Sequence, residues 1–594
     1  FSKINNEHYL PALKKGIELT QAEIQNIISN PQPPTFQNTI EVMEKTGDII
    51  NKVTAAFFNL NAANTNDEMQ SLAQEISPLL TAHGNDIMMN KELFDRIKVV
   101  YESGFEGLTT EQETLLTKTY KSFVRNGANL SENEKNRLRE IDTLTAKLSL
   151  TFGEHVLKES NQFKLVLDNQ KDLSGLPQSV IEAASITAKN EGYENKWVFT
   201  LDYPSYIPFM TYAENRSLRE QMYRAFNSKG FQDNDNNNTA VVRKITKLRA
   251  ERAQLLGYES HAHYVLEERM AESPSKVLDF LNDIQSKAIR HAKNEFDELT
   301  AYAHQLDQIK QIQKWDGTYY SEKLKKEKFA IDDELLRPYF QLENVVDGVF
   351  KTAQKLFGIT FKQRNDIDVY HEDVITYEVL SDKNEHLAVF YADFFPRSGK
   401  RQGAWMTSFR SQKIEDNRNI RPHVSIVCNF TKPTDEWPSL LSFQEVTTLC
   451  HEFGHALHGI SDNGNYASLS GTSVFWDFVE LPSQLLENWC YEKECLNLFA
   501  KHHQTNEVIP LDYVQKIKNS SNFQAGMATL RQIGLGKIDM GWHAITLDNA
   551  ETLENDFIAF ESSQLNGIDL YPSVDGCCVS TSFSHIFQGG YSSG

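Results

Sequence analysis

Apolar residues recur with a helical period along most of this chain, which leaves room for only a small sheet. The capping-box pair Ser131 and Glu134 opens one such run, and apolar residues follow it on one face as far as Phe152. The pattern predicts an overwhelmingly α-helical chain up to about residue 360, with clear runs at residues 7–29, 41–60, 67–101, 112–127, 240–256 and 275–307.

Strand-like alternation is concentrated between residues 374 and 430. It predicts a hairpin at 374–380 and 386–391, joined by a turn, and two further strands at 404–409 and 424–430. One short strand is also predicted earlier, at 196–201. The pattern therefore predicts a small sheet set among helices.

No linker separates the parts of the chain. Helical periodicity returns at Ser442 and continues to about residue 563, ahead of a glycine-rich segment at 588–594. The 17 prolines are scattered over the 594 residues, so we expect lobes of one body rather than separate domains. A mainly helical region, 1–365, would be interleaved with a region, 366–594, that holds the small sheet and then helices.

Composition excludes several classes of protein. Hydrophobic residues make up 40% of the 594 positions, which is enough for an extensive core and excludes a disordered chain. The formal net charge of -21 opposes binding to nucleic acid, because the phosphate backbone needs a cationic surface. Charged or amide side chains interrupt every apolar run, so we expect a soluble protein without a membrane segment.

Cysteine usage bears on the compartment. No two cysteines form a C-x-x-C pair, so neither a disulfide framework nor a cysteine-type zinc site is predicted. Their sparse use fits a reducing cytoplasm, although a periplasm also tolerates it. The sequence opens with Phe1 and shows no signal-like segment, so any start residues lie outside it. The six cysteines are Cys428, Cys450, Cys490, Cys495, Cys577 and Cys578.

Residues 451–455 read His-Glu-Phe-Gly-His and fit the pattern H-E-x-x-H. In a helix, His451 and His455 lie one turn apart on the same face and can bind one zinc ion, with Glu452 beside it as general base. A capping box at 442–445 and an apolar body place the motif inside a helix. The alternative is a buried helix with two hydrogen-bonded histidines.

A catalytic zinc ion needs a third protein ligand and one open position. The downstream candidates are Asp477, Glu480 and Glu487. We choose Glu480, because its apolar neighbours make an unpaired carboxylate unfavourable unless a cation compensates it. Asp477 is instead expected to cap the following helix. Gln484 and Glu487 share the face of Glu480, and they either orient the ligands or face water.

Other catalytic motifs are broken in this sequence. A metzincin needs glycine and histidine at the positions that hold His458 and Ser461. Residues 534–537 lack the upstream glycine and the following serine or threonine of a phosphate loop. Residues 471–475 lack the second glycine of a nucleophile elbow. Metzincins, phosphate-loop proteins and serine hydrolases are thereby excluded.

Long, specific motifs stand at residues 451–459, 469–472 and 477–489, with further matches at 1–11, 403–406 and 583–591. They resemble the thimet oligopeptidase family, most closely its bacterial dipeptidyl carboxypeptidases. Because the motifs lie from one end of the sequence to the other, the resemblance extends over essentially the whole chain. The resemblance implies a mainly α fold: a two-lobed helical ellipsoid with a deep central channel and a small β-sheet beside the H-E-x-x-H helix. It also implies one Zn²⁺ ion, held by His451, His455 and Glu480, with Glu452 as the base.

His585 and Tyr591 gain a role only from the resemblance. They match family residues that contact the substrate and help to polarise its carbonyl group, whereas by residue type they would belong to a packed, glycine-rich turn. The family pattern then continues into a tyrosine-rich stretch with another carbonyl-stabilising tyrosine. A protein that ended at Gly594 is expected to lack that donor.

The implied activity is zinc-dependent hydrolysis of short peptides by an activated water, with release of C-terminal dipeptides. The strand at 404–409 is expected to pair with the substrate backbone, and a channel would exclude folded proteins. An endo-acting oligopeptidase of the same family is the nearer alternative, and a catalytically silent peptide-binding protein is the other. We expect a monomer that binds neither nucleic acid nor membrane.

Overall fold

Helices build the first part of the computed structural model, which describes residues 1–551, 556–589 and 591–593. They are α1 (Asn6–Ile28), α2 (Val42–Glu44), α3 (Asp48–Ala63), α4 (Asp67–Met88), α5 (Lys91–Glu102), α6 (Thr110–Arg125) and α7 (Glu132–Gln162), with a π-helical turn at Phe36–Glu41. The predicted run at 67–101 is two helices, because Asn90 accepts from Leu93 N at 2.8 Å and so caps α5.

A second helical stretch follows, together with a small two-stranded sheet. The strands β1 (Leu165–Leu167) and β2 (Trp197–Phe199) pair antiparallel, which confirms the short strand predicted at 196–201. The helices are α8 (Gln178–Asn190), α9 (Tyr203–Tyr212), α10 (Arg216–Asn227), α11 (Thr239–Leu255), α12 (His261–Leu266), α13 (Pro274–Asp307), α14 (Gly317–Phe329), α15 (Asp333–Leu336) and α16 (Leu342–Phe357).

The main sheet comes next in the chain. Its strands, and those of a separate hairpin, are β3 (Thr360–Arg364), β4 (Val374–Leu380), β5 (His386–Asp393), β6 (Trp405–Arg410), β7 (Lys413–Glu415), β8 (Arg418–Ile420) and β9 (His423–Val427). Five of them lie in the order β3-β4-β5-β9-β6, with β5 and β9 parallel and β6 at one edge, while β7 pairs with β8. The predicted hairpin and both further strands are confirmed. The short edge strand β3 was not expected, because its largely exposed residues carry no clear alternation.

Helices return after the sheet, as the periodicity predicts. They are α17 (Phe443–Ile460), α18 (Glu480–Glu487), α19 (Lys493–Phe499), α20 (Leu511–Ser520), α21 (Ala525–His543), α22 (Leu547–Glu551), α23 (Phe557–Gln564) and α24 (Ser584–Phe587). Residues 552–555 of the predicted helical stretch, and residues 590 and 594 of the glycine-rich segment, lie outside the described residues.

Helices dominate and the sheets are small, so the predicted mainly α fold is confirmed. Strand β3 pairs with β4 across the predicted boundary at 365 and 366. That boundary, the two lobes and the channel stay predictions. Among the described helices, none combines the length and the hydropathy needed to cross a bilayer.

Aromatic side chains hold α17 against the main sheet. Phe453 of α17 is buried, and its ring centroid lies 5.9 Å from that of Phe390 in β5 and 5.4 Å from that of Phe361 in β3. Phe350 of α16 stacks on Phe361 at 4.1 Å. Burial of such large apolar groups drives this packing. Residues two positions from Phe453 lie about 200° around the helix, so the opposite face of α17 remains available to other groups.

Candidate metal centre

Helix α17 begins at the capping box that the sequence predicts. Ser442 Oγ accepts from Glu445 N at 3.1 Å, and Glu445 Oε2 accepts from Ser442 N at 2.7 Å. The other carboxylate oxygen of Glu445 accepts from Thr431 N at 2.8 Å, and Arg337 Nη1 lies 3.6 Å from Oε2. The first turn of α17 is thus tied to the chain that follows β9, which fixes the position of the histidines further along the helix.

His451 and His455 point their Nε2 atoms at the same carboxylate oxygen. Glu480 Oε2 lies 3.2 Å from His451 Nε2 and 3.1 Å from His455 Nε2. The ring centroids are 4.9 Å apart, and the three ligand atoms all lie within 4.8 Å of one another. A tetrahedral zinc ion with bonds of about 2.0–2.1 Å holds its ligand atoms about 3.3 Å apart, so this donor set fits zinc.

Gly454 lets α18 come close enough to deliver Glu480. A Cβ atom at Gly454 would lie 2.5 Å from Ser483 Cα and 2.8 Å from Pro482 O, so any side chain there would push the two helices apart. Ser483 is buried, and its hydroxyl donates to Glu480 Oε2 at 2.9 Å. The small residue inside the motif therefore has a structural reason that is independent of the metal.

The expected helix cap at Asp477 is wrong. Helix α18 begins at Glu480, its N-cap position is Val479, and no side chain caps it among the described hydrogen bonds. Asp477 Oδ2 instead accepts from Ala271 N at 2.9 Å. A contact between residues so far apart in the chain outweighs the local capping preference that the sequence shows.

Glu487 lies on the far side of His451 from Glu480. Its Oε1 atom is 2.6 Å from His451 Nδ1, so a carboxylate contacts each ring nitrogen of this histidine. Such a contact fixes the ring orientation and the tautomer that presents Nε2 to a metal. Gln484, the other polar residue on this face, is exposed, and the Nδ1 atom of His455 is buried without a described partner.

The charges of the site shift its pKa values in opposite directions. Hydrogen bonds from His451, His455 and Ser483 hold the pKa of Glu480 well below its usual range. Burial alone would lower the pKa of His451, but its hydrogen bonds to Glu480 and Glu487 raise that pKa to about 10. Without a metal, His451 is therefore protonated at neutral pH and forms an ion pair with the two carboxylates.

Glu452 of α17 carries a buried carboxyl group beside the two histidines. Its side chain is 5% exposed, and its Oε2 atom has no hydrogen-bond partner among the described residues. Burial raises the pKa of Glu452 to about 7, against the opposing charges of His451 and His455. A carboxyl group with a pKa near neutrality and a free oxygen is suited to exchange a proton with water.

The structure brings His585 and Tyr591 together near the metal centre. Their ring centroids are 6.1 Å apart, and the charge of Glu480 acts on both residues. Burial lowers the pKa of His585 and raises the pKa of Tyr591. Tyr591 is therefore protonated at neutral pH, and the hydroxyl of this exposed residue can donate a hydrogen bond.

Distant elements hold the segment that carries these two side chains. Gln588 fills a notch in α7, where a Cβ atom at Gly153 would lie 1.9 Å from its amide group. In the amide orientation that satisfies both groups, Gln588 accepts from Arg401 Nη2 at 2.6 Å and Nη1 at 2.8 Å. Three further contacts anchor the same segment: Arg249 Nη1 to Ile586 O at 2.7 Å, His261 Nε2 to Ser592 Oγ at 3.0 Å and Ser593 N to Asp539 Oδ1 at 2.9 Å.

Sequence reasoning did not find these anchoring residues. Arg249 and Asp539 are buried charges on the core faces of α11 and α21, and this is the signal that could have marked them. Their partners lie more than 50 residues away in the chain, so the sequence could not pair them.

Comparisons with known proteins show the family of this chain. The model of peptidase family M3 matches residues 209–594. Dipeptidyl carboxypeptidase of Escherichia coli is 35% identical over 596 residues, which span 100% of this chain and 87% of that protein. Oligopeptidase A of the same organism is 34% identical and covers 100% of this chain and 88% of that protein. The solved structure of PZ peptidase A with inhibitor 2 covers 97% of this chain and 84% of that one, with a TM-score of 0.56 and 14% identity, and so supports the fold alone.

The family match and the similarity to these relatives define a metallopeptidase. The helix-borne histidine pair, with a carboxylate from the next helix, is the donor set that such an enzyme needs. The chain belongs to peptidase family M3. The resemblance drawn from the motifs is thereby confirmed.

We expect a Gly454→Ala variant to bind zinc about 10-fold to 100-fold more weakly, because the new methyl group separates Glu480 from the two histidines. Zinc affinity measured by chelator competition checks this. Gly84→Ala in α4 is the matched control, since nothing lies within 4 Å of a Cβ atom there. Unchanged affinity in the Gly454 variant would show that the helices tolerate the separation.

We expect zinc uptake by the metal-free protein to release protons at neutral pH, because His451, with its pKa raised to about 10, must lose its proton to bind a metal. Apparent zinc affinity should therefore fall as the pH falls. Calorimetry in buffers with different ionisation heats measures the number of protons released. Glu487→Gln removes one of the two carboxylates and should release fewer; equal release by both proteins would contradict this assignment.

Proposed function

We propose that this metallopeptidase uses one zinc ion to release dipeptides from the free C-termini of short peptides. The observation that carries the zinc assignment is the convergence of His451 Nε2 and His455 Nε2 on one Glu480 oxygen, at 3.2 and 3.1 Å, with all three atoms within 4.8 Å of one another. The similarity to dipeptidyl carboxypeptidase of Escherichia coli supports the mode of cleavage.

In this proposal each residue has a separate task. When bound at the His-His-Glu set, zinc supplies a Lewis acid that polarises the scissile carbonyl and makes a water more acidic. Glu452 takes the proton of the attacking water and passes it to the leaving amine, for which its buried, unpartnered oxygen is suited. His585 and Tyr591 donate hydrogen bonds to the carbonyl oxygen as its negative charge develops.

Strand β6 is proposed to hold the substrate backbone. It lies at the edge of the main sheet, so one side has no partner strand among the described residues. Asn59 of α3 donates to Ser408 O at 3.0 Å and accepts from the Thr407 hydroxyl at 2.7 Å, which closes one end of the strand. The segment from Trp405 to Met406 is left for an extended peptide, and backbone pairing there would tolerate many side chains.

An endo-acting oligopeptidase remains the second candidate. The observation that favours it is the similarity to oligopeptidase A of Escherichia coli, which is 34% identical over 603 residues. A silent peptide-binding protein is disfavoured, because the complete donor set and the buried Glu452 would have no purpose in it.

The proposal extends to the oligomeric state of the protein and to its cellular compartment. We propose a monomer, as the sequence predicts. The six cysteines form no disulfide, and five of them are buried, which supports a reducing compartment such as the cytoplasm.

Two conservative variants separate the role of ligand from that of base. Glu480→Gln should lose most of its zinc, because a neutral amide is a poor replacement for a carboxylate ligand. Glu452→Gln should keep zinc and lose several orders of magnitude in turnover, because a general base acts without binding the metal. Metal content by elemental analysis, together with kcat on a model peptide, distinguishes them. Full zinc in the Glu480 variant, or lost zinc in the Glu452 variant, would contradict the roles.

The mode of cleavage is tested with one peptide in two forms, with a free and with an amidated C-terminus. Mass spectrometry should find dipeptides released from the free form, and amidation should lower kcat/KM about 10-fold or more, because binding of the carboxylate positions the scissile bond. A scrambled peptide of equal length controls for sequence preference. Equal cleavage of both forms at internal bonds would favour the endo-acting alternative.

A further inference from the structure

Release of dipeptides requires a cation two residues beyond the scissile bond, and this requirement rests on the proposed function. The formal net charge of -21 means that most of the surface repels a carboxylate, so a local cation must attract it. We propose that Arg269, in the turn between α12 and α13, binds the terminal carboxylate of the peptide.

A row of side chains leads from Arg269 to Tyr591, one of the two residues that are proposed to polarise the carbonyl group. The ring of Trp476 lies 4.9 Å from the ring of Tyr591, and Arg269 Cζ lies 5.3 Å from the ring of Trp476 on a cation–π contact. These two steps limit the distance between the Tyr591 ring and the guanidinium to about 10 Å. In an extended peptide, the carboxylate lies about 7 Å beyond the scissile carbonyl, so the span of a C-terminal dipeptide falls within this limit.

Arg269 has donors that the protein does not use. Its Nη1 atom donates to the carbonyl oxygen of Glu268 at 3.0 Å, but its Nε atom is buried without any described partner. No carboxylate lies within ion-pair distance of it among the described residues, whereas the nearby Arg125 is paired with Glu267. Desolvation lowers the pKa of Arg269, and the charge of Asp477 only partly offsets this. A carboxylate that accepts from two donors would satisfy both the charge and the geometry.

The turn that carries Arg269 is fixed to the metal site. Ala271 N donates to Asp477 Oδ2 at 2.9 Å, and Asp477 stands three residues before the ligand Glu480. The Oδ2 atom of Asp477 therefore accepts from the backbone of the turn. It also explains why Asp477 is not a helix cap: it sets the distance between the cation and the metal centre.

The test is calorimetric binding of glycyl-leucine and of glycyl-leucine amide to the zinc-loaded protein. We expect the free dipeptide to bind about 10-fold to 100-fold more tightly than the amide, since hydrogen bonds to a charged group are strong. Arg269→Gln should remove this preference, and Arg269→Lys should keep part of it. Arg290→Gln, at an exposed position of α13, removes the same charge and should leave the preference unchanged.

Zinc content and the thermal midpoint show whether each variant is folded. Equal binding of the dipeptide and its amide by the unchanged protein, or a preference that survives in a folded Arg269→Gln variant, would overturn the proposal. The binding result does not depend on where peptides are cut. If the preference disappears with Arg269 while the protein cleaves only internal bonds, the carboxylate site stands and the proposed dipeptide release fails.

Discussion

The site depends on a close backbone contact between helices α17 and α18. Gly454 on α17 faces Ser483 on α18 with no room for a methyl group between them. Only at that distance does one oxygen of Glu480 reach the Nε2 atoms of both histidines. The rest of the C-terminal structure supports this approach: Phe453 fixes the opposite face of α17 to the sheet, and Glu445 fixes its first turn. The geometry of the His-His-Glu cluster is thus a consequence of helix packing.

The surroundings of the candidate metal centre are assembled from distant parts of the chain. The segment bearing His585 and Tyr591 is held by groups from α7, α11, α12 and α21 and by Arg401. Several of these groups are charged and buried, and burial of a charge is unfavourable unless its partner is in place. This mutual dependence makes the geometry of the segment specific. The N-terminal helices α7, α11 and α12 thereby help to position the two side chains near the His-His-Glu cluster.

Local patterns predict the motif helix and its capping box. They also favour Glu480, which the structure brings beside the two histidines and whose role as a ligand stays a prediction. In each case the deciding residues lie within a few turns of one another, where periodicity and capping rules apply. Asp477 was assigned wrongly because a distant partner, Ala271, competes for its carboxylate. The sequence pattern does not predict strand β3, because an exposed edge strand needs no apolar alternation. Arg401 and Arg269 could not be predicted, since their significance depends on neighbours from remote parts of the chain.

The order of these parts along the chain has a consequence for synthesis. The proposed ligands at 451, 455 and 480 leave the ribosome more than a hundred residues before His585 and Tyr591 do. The segment that bears these two residues is anchored on α7, α11, α12 and α21, which all precede it in the chain. A nascent chain can therefore hold the three proposed ligands while the two groups proposed to stabilise the developing oxyanion are still missing. In the proposed mechanism, efficient peptide hydrolysis therefore has to await the docking of the segment that bears His585 and Tyr591.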